Sequence, residues 1–395
     1  MNEHIQHHWI KIFGLLITVF MIVISANSFL NHQSDPQFDQ RLFVTRVFTF
    51  DTYPPLYYGI SSFLISGIYN RLLEPDPVSA STNIKIASMI LYLAGSYLLF
   101  TRFENPAKPM LALLCLLLML TTRFPFGWLS TEVLAGAFLI FALWSQLQNL
   151  PFIITAVFLA IFAYTKPDLL FPAGLIGSYL VYSSRENWRG RFINPGILAA
   201  PFLILLIPAV MQNGLDSNRS LLSLHQHHAV AVERHQIIDP VPDPWAETDQ
   251  YVPIWGEWDS FSETVRHNPR VYYDFLFLSI GNTVYNTAAS GVILILPVWA
   301  YCLYMIPDRR LKIITLLFFT GLIPITLFSF MHTRYLTRFY PVLILAIYMY
   351  AQDEEIKNPL WDRVITGYLT FILLLQIIWL PPVLKAGLWL QTTIL

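Results

Sequence analysis

Apolar residues along this chain come in long blocks, not in alternation, and the blocks follow one another from residue 10 to residue 382 with short polar clusters between them. The stretch "LALLCLLLML" at 111–120 shows the type: every face of a helix built from it is apolar. A bilayer core needs about 20 apolar residues per spanning helix, and backbone groups in lipid must be bonded internally. A transmembrane barrel would show short alternating segments instead. The pattern therefore predicts an all-α polytopic membrane protein. Spans fall at 10–30, 84–101, 108–122, 131–147, 151–165, 168–183, 192–210, 281–304, 311–330, 337–351 and 363–382, about eleven at one span per block.

The count depends on 54–72, which begins at the prolines of "FDTYPPLYYG". Basic residues in short loops favour the cytoplasmic side. With 54–72 lying on the outer surface, "TRFENPAK", "SSRENWRGR", "PDRRLK" and "DEEIKNPLWDR" are cytoplasmic and the acidic "EPDPVSASTN" is outside. If 54–72 crosses, every later loop changes sides and Arg185, Arg189, Arg191, Arg309, Arg310 and Lys312 lie outside, a poorer fit. Pro54 and Pro55 suit a first helical turn, and Tyr53, Tyr57 and Tyr58 suit the headgroup level. The segment 54–72 is thus read as an interfacial helix within a first outer loop, 31–83. Its alternative is a second span rich in small residues. A second polar region, 212–280, is read as a large outer loop holding short helices, with prolines at 240, 242, 244 and 253 fixing an irregular path. Residues 1–395 form one membrane domain.

Composition agrees. The chain is 55% hydrophobic and 12% charged, with mean hydropathy +0.53; soluble domains carry about 25% charge. The net charge of −1 and the lack of a basic run exclude a phosphate-backbone footprint, so no nucleic acid partner is expected. Cys115 and Cys302 sit in apolar runs and read as core residues. The first block is long for a signal peptide and is read as an uncleaved helix.

This topology gathers ionisable residues on the outer side. The first loop supplies Asp35, Asp39, Arg41, Arg46 and Asp51; "TTRFPFGWLSTE" supplies Arg123 and Glu132; "YTKPDLL" supplies Lys166 and Asp168; "MHTRYLTRFY" supplies His332, Arg334, Tyr335 and Arg338. Ionisable groups at span ends are costly unless paired, wet or functional. The mixture suits a lipid-linked phosphate donor. Lysine and arginine hold the phosphate, a carboxylate deprotonates an acceptor hydroxyl, and cations stabilise the charge on the leaving phosphate. Each residue also has a plain reading. Glu132 suits a helix N-terminus beside Ser130 or Thr131, Lys166 can snorkel, and Arg334 and Arg338 can anchor headgroups. "LHQHHAVAVERH" lacks a compact zinc spacing, and an acidic site could take a divalent cation; no cofactor is fixed by the sequence.

These residues resemble the membrane glycosyltransferases of the GT-C fold, close to the protein mannosyltransferase and aminoarabinose transferase superfamily. "FDQRLFVTR" places Asp39, with Asp35 behind it, at the acidic position after the first span. "TYPPLYYG" matches the start of the juxtamembrane helix, "LSTEVLAGAF" the later acid through Glu132, "YTKPDLL" the lysine through Lys166, and "HTRYLTRFYPVL" the arginine–tyrosine pair through Arg334 and Tyr335. The resemblance covers 10–350. It implies a GT-C-like bundle and an inverting enzyme that moves a sugar from a polyprenyl-phosphate-linked donor to a lipid, glycan or protein acceptor outside the cytoplasm. Asp39, Asp35 and Glu132 would serve catalysis, while Arg46, Tyr53, Lys166, His332, Arg334, Tyr335 and Arg338 would bind substrate. Gln40 departs from the usual second acid, and the first loop is short. The alternatives are a non-catalytic subunit of the same fold and a transporter or flippase of a lipid-linked sugar. The bacterial inner membrane is the expected location.

Overall fold

The computed structural model describes residues 3–31, 77–101, 107–121, 131–183, 188–213, 253, 261–289, 292–328, 338–356 and 358–378. Among these the chain forms fourteen α-helices and no strand. They are α1 (Glu3–Asn31), α2 (Pro77–Phe100), α3 (Pro109–Leu120), α4 (Thr131–Leu147), α5 (Phe152–Ala163), α6 (Leu170–Ser183) and α7 (Trp188–Asn213). There follow α8 (Phe261–His267), α9 (Pro269–Ala289), α10 (Val292–Met305), α11 (Arg309–Phe319), α12 (Leu322–Phe328), α13 (Tyr340–Gln352) and α14 (Pro359–Ile378).

The bundle is built around α13. Its sequence, "YPVLILAIYMYAQ", is apolar on every face, and the structure buries every residue from Tyr340 to Tyr348, with Tyr350 and Ala351. Helices α3, α4, α10 and α11 pack around it. An outer set carries the opposite signature. On α1, Trp9, Phe13, Leu16, Phe20 and Val23 are about half exposed and fall three or four residues apart, on one face. The inner face of α1 carries Gly14, where a Cβ would come within 2.7 Å of a Leu116 methyl. Exposed Leu360, Val364, Phe371, Leu374 and Ile378 line α14 in the same way. Stripes of this length are poor surfaces for water and suit a bilayer.

Among the described residues three stretches are long and apolar enough to cross a membrane: His8–Asn27, Arg309–Leu327 and Pro359–Ile378. The pair α9 and α10 makes a fourth if taken as one broken span, and its two arms differ in direction by 82°. The other apolar helices are 10–17 residues long. The expected blocks therefore meet helices, but those of α3, α5, α6 and α13 are shorter than their blocks, and the blocks 281–304 and 311–330 are each broken in two. α5 shows why. Pro151 and Tyr164 bound it to 12 residues, about 18 Å against a hydrocarbon core of about 30 Å. The block read as a single span at 281–304 is instead divided between α9 and α10, and α9 begins at Pro269, inside the region read as loop. The interfacial segment 54–72 and most of 212–280 lie outside the described residues.

Side-chain contacts mark the two ends of the bundle. At one, the Lys108 Nζ donates to the carbonyls of Tyr350 (3.0 Å) and Asp353 (3.2 Å), Tyr350 donates to Asp362 at 2.8 Å, and Arg310 donates to Gln146 at 2.6 Å. At the other, Thr121 donates to the Gln376 side chain at 2.8 Å, and Gln376 donates to the Tyr340 hydroxyl. Lys108, Arg310, Asp353 and Asp362, from three of the segments that charge alone assigned to one side, thus stand at one end. Lys108 supplies a cation to the last carbonyls of the central helix, where the helix dipole is negative. Lys108→Met is expected to lower stability by about 1–2 kcal/mol, with Lys108→Arg recovering part of the loss, read from heat denaturation in mild detergent.

Candidate functional site

The end that holds Tyr340 also gathers four charged residues from three elements. Glu132 lies in the first turn of α4 and is 1% exposed. Between α5 and α6 the chain turns tightly: Thr165 donates its hydroxyl to Ile161 O at 2.8 Å, and Pro167–Leu169 forms a 3-10 turn. Proline suits the start of that turn because the missing N–H has no partner there. The turn sets Lys166 and Asp168 two residues apart, facing different neighbours. Lys166 Nζ lies 2.5 Å from Glu132 Oε1. Asp168 Oδ2 lies 2.5 Å from Nη2 of Arg338, the residue two before α13.

The two pairs are adjacent. One helical turn after Glu132 stands Gly136, where a Cβ would sit 2.8 Å from the ring of Tyr92 and 3.8 Å from the Arg338 Cα. The missing side chain makes room for the Tyr92 ring of α2, and the chain entering α13 lies within ordinary contact distance of the same point. Arg338 is fully buried, and its guanidinium lies 5.5 Å from the centroid of Phe339. Beneath it Phe339 stacks on Phe319 (5.5 Å) and meets Phe318 edge-on (5.0 Å). The charged layer thus rests on an aromatic floor.

Exposure is divided unequally within each pair. The side chains of Lys166 and Asp168 are 23% and 22% exposed, and those of Glu132 and Arg338 are 2% and 0% exposed. One turn therefore carries the accessible member of both pairs. The Arg338–Asp168 contact is close, yet its geometry is not that of an aligned hydrogen bond, so charge attraction is its main component.

Of the residues proposed from the sequence, the structure brings together Glu132, Lys166 and Arg338. Asp35, Asp39, Arg46, Tyr53, His332, Arg334 and Tyr335 lie outside the described residues, as does the histidine-rich stretch 225–235. Among the described residues no group of three or more histidines, cysteines or carboxylates could hold a metal ion. Cys115 and Cys302 are buried free thiols. Asp168 as the partner of Arg338 was not legible in the sequence, nor was Gln376, which ties α14 to α3 and α13. The signal for Gln376 is a lone amide in "LLLQIIW", since a polar side chain in an apolar span needs a partner.

Two carboxylates and two cations in this arrangement can hold and orient an anion at the rim of the bundle. Lysine offers three donors and arginine five, and paired carboxylates fix where those donors stand. Comparison with protein-family models, curated proteins and solved structures finds no match for this chain.

Proposed function

We propose that the chain is a polytopic glycosyltransferase of GT-C type, with about eleven membrane-embedded segments, and that it takes a sugar from a polyprenyl-phosphate-linked donor on the non-cytoplasmic face. The observation that carries this reading is the convergence of Glu132, Lys166, Asp168 and Arg338 from three elements at one end of an apolar bundle. A lipid-linked donor presents its phosphate at that depth. Lys166 would meet the phosphate, with Glu132 positioning it, while Arg338, buried behind Asp168, would add its positive charge from below. Asp39 would take the proton of the acceptor hydroxyl as its oxygen attacks the anomeric carbon. The bond from that carbon to the phosphate oxygen breaks, and polyprenyl phosphate leaves with the electron pair, its charge stabilised by the two cations. The acceptor is a lipid, glycan or protein, and the region 212–280 would cover the site against water.

Mass analysis of membrane glycolipids from cells with and without the gene tests this. A sugar increment that disappears with the gene, returns with the wild-type chain and fails to return with Asp39→Asn supports the transferase. An increment restored by Asp39→Asn at normal protein level points to a non-catalytic subunit or a flippase. The same cells test the sidedness. A membrane-impermeant maleimide is expected to label a cysteine placed at Lys166 in intact spheroplasts, and cysteines at Gln148 or Glu355 only after lysis.

A further inference from the structure

Lys85 is the one charged residue of α2, and it is 7% exposed. A lysine that snorkels to the headgroups shows its head; this one is enclosed by the protein. It also differs from the other cations described at its end of the bundle. Lys166 has Glu132, and Arg338 has Asp168. Lys85 has no hydrogen bond or ion pair to any described residue. Its Nζ is nevertheless not one of the polar atoms shut away from the surface without a partner, so the ammonium keeps an opening.

The packing of α2 on α4 gives its place. Tyr92 meets Gly136, and Gly95 meets Ile140, where a Cβ would lie 3.2 Å from the Ile140 Cγ2; the two helices therefore run side by side in the same direction. Lys85 precedes Tyr92 by seven residues, nearly two whole turns, so both leave α2 on the same face, about 10 Å apart along its axis. Glu132 precedes Gly136 by four residues, about 6 Å. Lys85 thus stands about one turn farther out than Glu132. Helical side chains tilt toward the N-terminus, which for α2 is the rim of the ion-pair end. Its C-terminus belongs to the opposite end, where Phe100 meets Tyr348 at 4.9 Å. Thr82 and Ser88, three residues to either side of Lys85, are buried as well, so the outer half of this seam is polar.

Charge narrows the ligand. The two ion pairs cancel, so Lys85 leaves one positive charge without a counter-charge among the described residues. An enclosed ammonium is costly unless it is paired. It has three donors and no acceptor, so its partner must bring negative charge and acceptor oxygens. A neutral sugar or a metal cation does not meet that need. A phosphate does, and the hydroxyls of Thr82 and Ser88 are further donors suited to its oxygens. We propose that Lys85 is the principal phosphate-holding residue of this site, ahead of Lys166, whose charge Glu132 already answers. This rests on the transferase reading and names the residue on which affinity for the donor depends.

The test uses the full chain in phosphatidylcholine nanodiscs carrying graded amounts of undecaprenyl phosphate. Native mass spectrometry reads the bound fraction, and heat denaturation reads stability. Lys85→Met is expected to weaken binding roughly tenfold to a hundredfold, the worth of a hydrogen bond to a charged group. The same change leaves the ligand-free chain at least as stable as wild type, because an enclosed charge is gone. Lys85→Arg retains most of the affinity. Lys312→Met, at the opposite end of the bundle, changes none of it. A purely structural lysine gives the reverse pattern, lower stability with unchanged affinity. That pattern, unchanged affinity at any stability, or no bound phosphate at all overturns the proposal. If Lys85→Met does not fold, Lys85→Gln is read by the same criteria, and failure of both to fold overturns it too. Parallel discs with phosphatidylglycerol, or with inorganic phosphate in solution, name the source, and Lys85-dependent binding of any of them supports the assignment. Preference for undecaprenyl phosphate assigns the polyprenyl carrier, equal binding of both lipids any lipid phosphate, and binding of inorganic phosphate alone a soluble anion. Full affinity in Lys85→Met with a gene-dependent glycolipid removes Lys85 and leaves the transferase. Lys85-dependent affinity with no gene-dependent glycolipid does the reverse.

Discussion

Replacing Asp168 by leucine is expected to cost the fold about 3–5 kcal/mol, and replacing Arg338 by methionine in the same chain to return most of it. The single change removes the carboxylate beside a guanidinium that is 0% exposed, so a buried charge loses its neighbour. The double change puts two apolar side chains of similar reach over the floor of Phe318, Phe319 and Phe339. Removing both members of a buried pair is often neutral, because the desolvation cost disappears with the attraction. Cys115 and Cys302 supply the measurement, since both are buried and react with a fluorogenic maleimide only when the bundle opens. The single variant should react between about a hundred and several thousand times faster at fixed temperature, and the double close to the wild-type rate. Under the transferase reading the double variant is stable and yields no glycolipid product. A stable double variant with full product would reduce the pair to a structural tie.

Lys166→Met is expected to fall in the same range, about 3–5 kcal/mol, whereas Glu132→Gln should cost about 1–2 kcal/mol. The two changes delete opposite ends of one contact of 2.5 Å, yet the side chains left behind differ: Glu132 is 2% exposed and Lys166 is 23% exposed. A lysine at that depth can swing its ammonium toward water on a flexible stem, and a carboxylate in the first turn of α4 has no such reach. Thiol reactivity of the two variants ranks them directly. Equal rates would mean that Lys166 already contributes little to holding Glu132 in place. The order matters for function, because the residue with access to solvent is also the one able to meet an incoming phosphate.

The hydrophobic pattern placed most helices because burial of apolar side chains dominates their position. The block 108–122 meets α3 at Pro109–Leu120, and 131–147 meets α4. It failed where polarity and helix coexist. The polar region 212–280 read as a loop through to its end, although Pro269 opens a long helix there in the way proline commonly does. Helix ends were less legible, since a hydropathy block does not record that Pro151 and Tyr164 cap α5 at its two ends. For the candidate site, the charged turns were visible but their partners were not. Lys166 and Glu132 are 34 positions apart, and nothing in either turn specifies the other. Gly136, which makes room for the Tyr92 ring between α2 and α4, looks in sequence like any small residue in a span.

The burial of α13 on every side sets a condition on biogenesis. The helices that enclose it, α3 and α4, leave the ribosome long before it does. At about 5–20 residues per second, the interval between Leu120 and Gln352 is on the order of 10–50 s. For that time the inner faces of α3 and α4 have no pillar to close on. Translation arrested before Tyr340 should therefore leave a nascent chain that cellular quality control treats as unassembled, however many of its earlier segments have already entered the lipid.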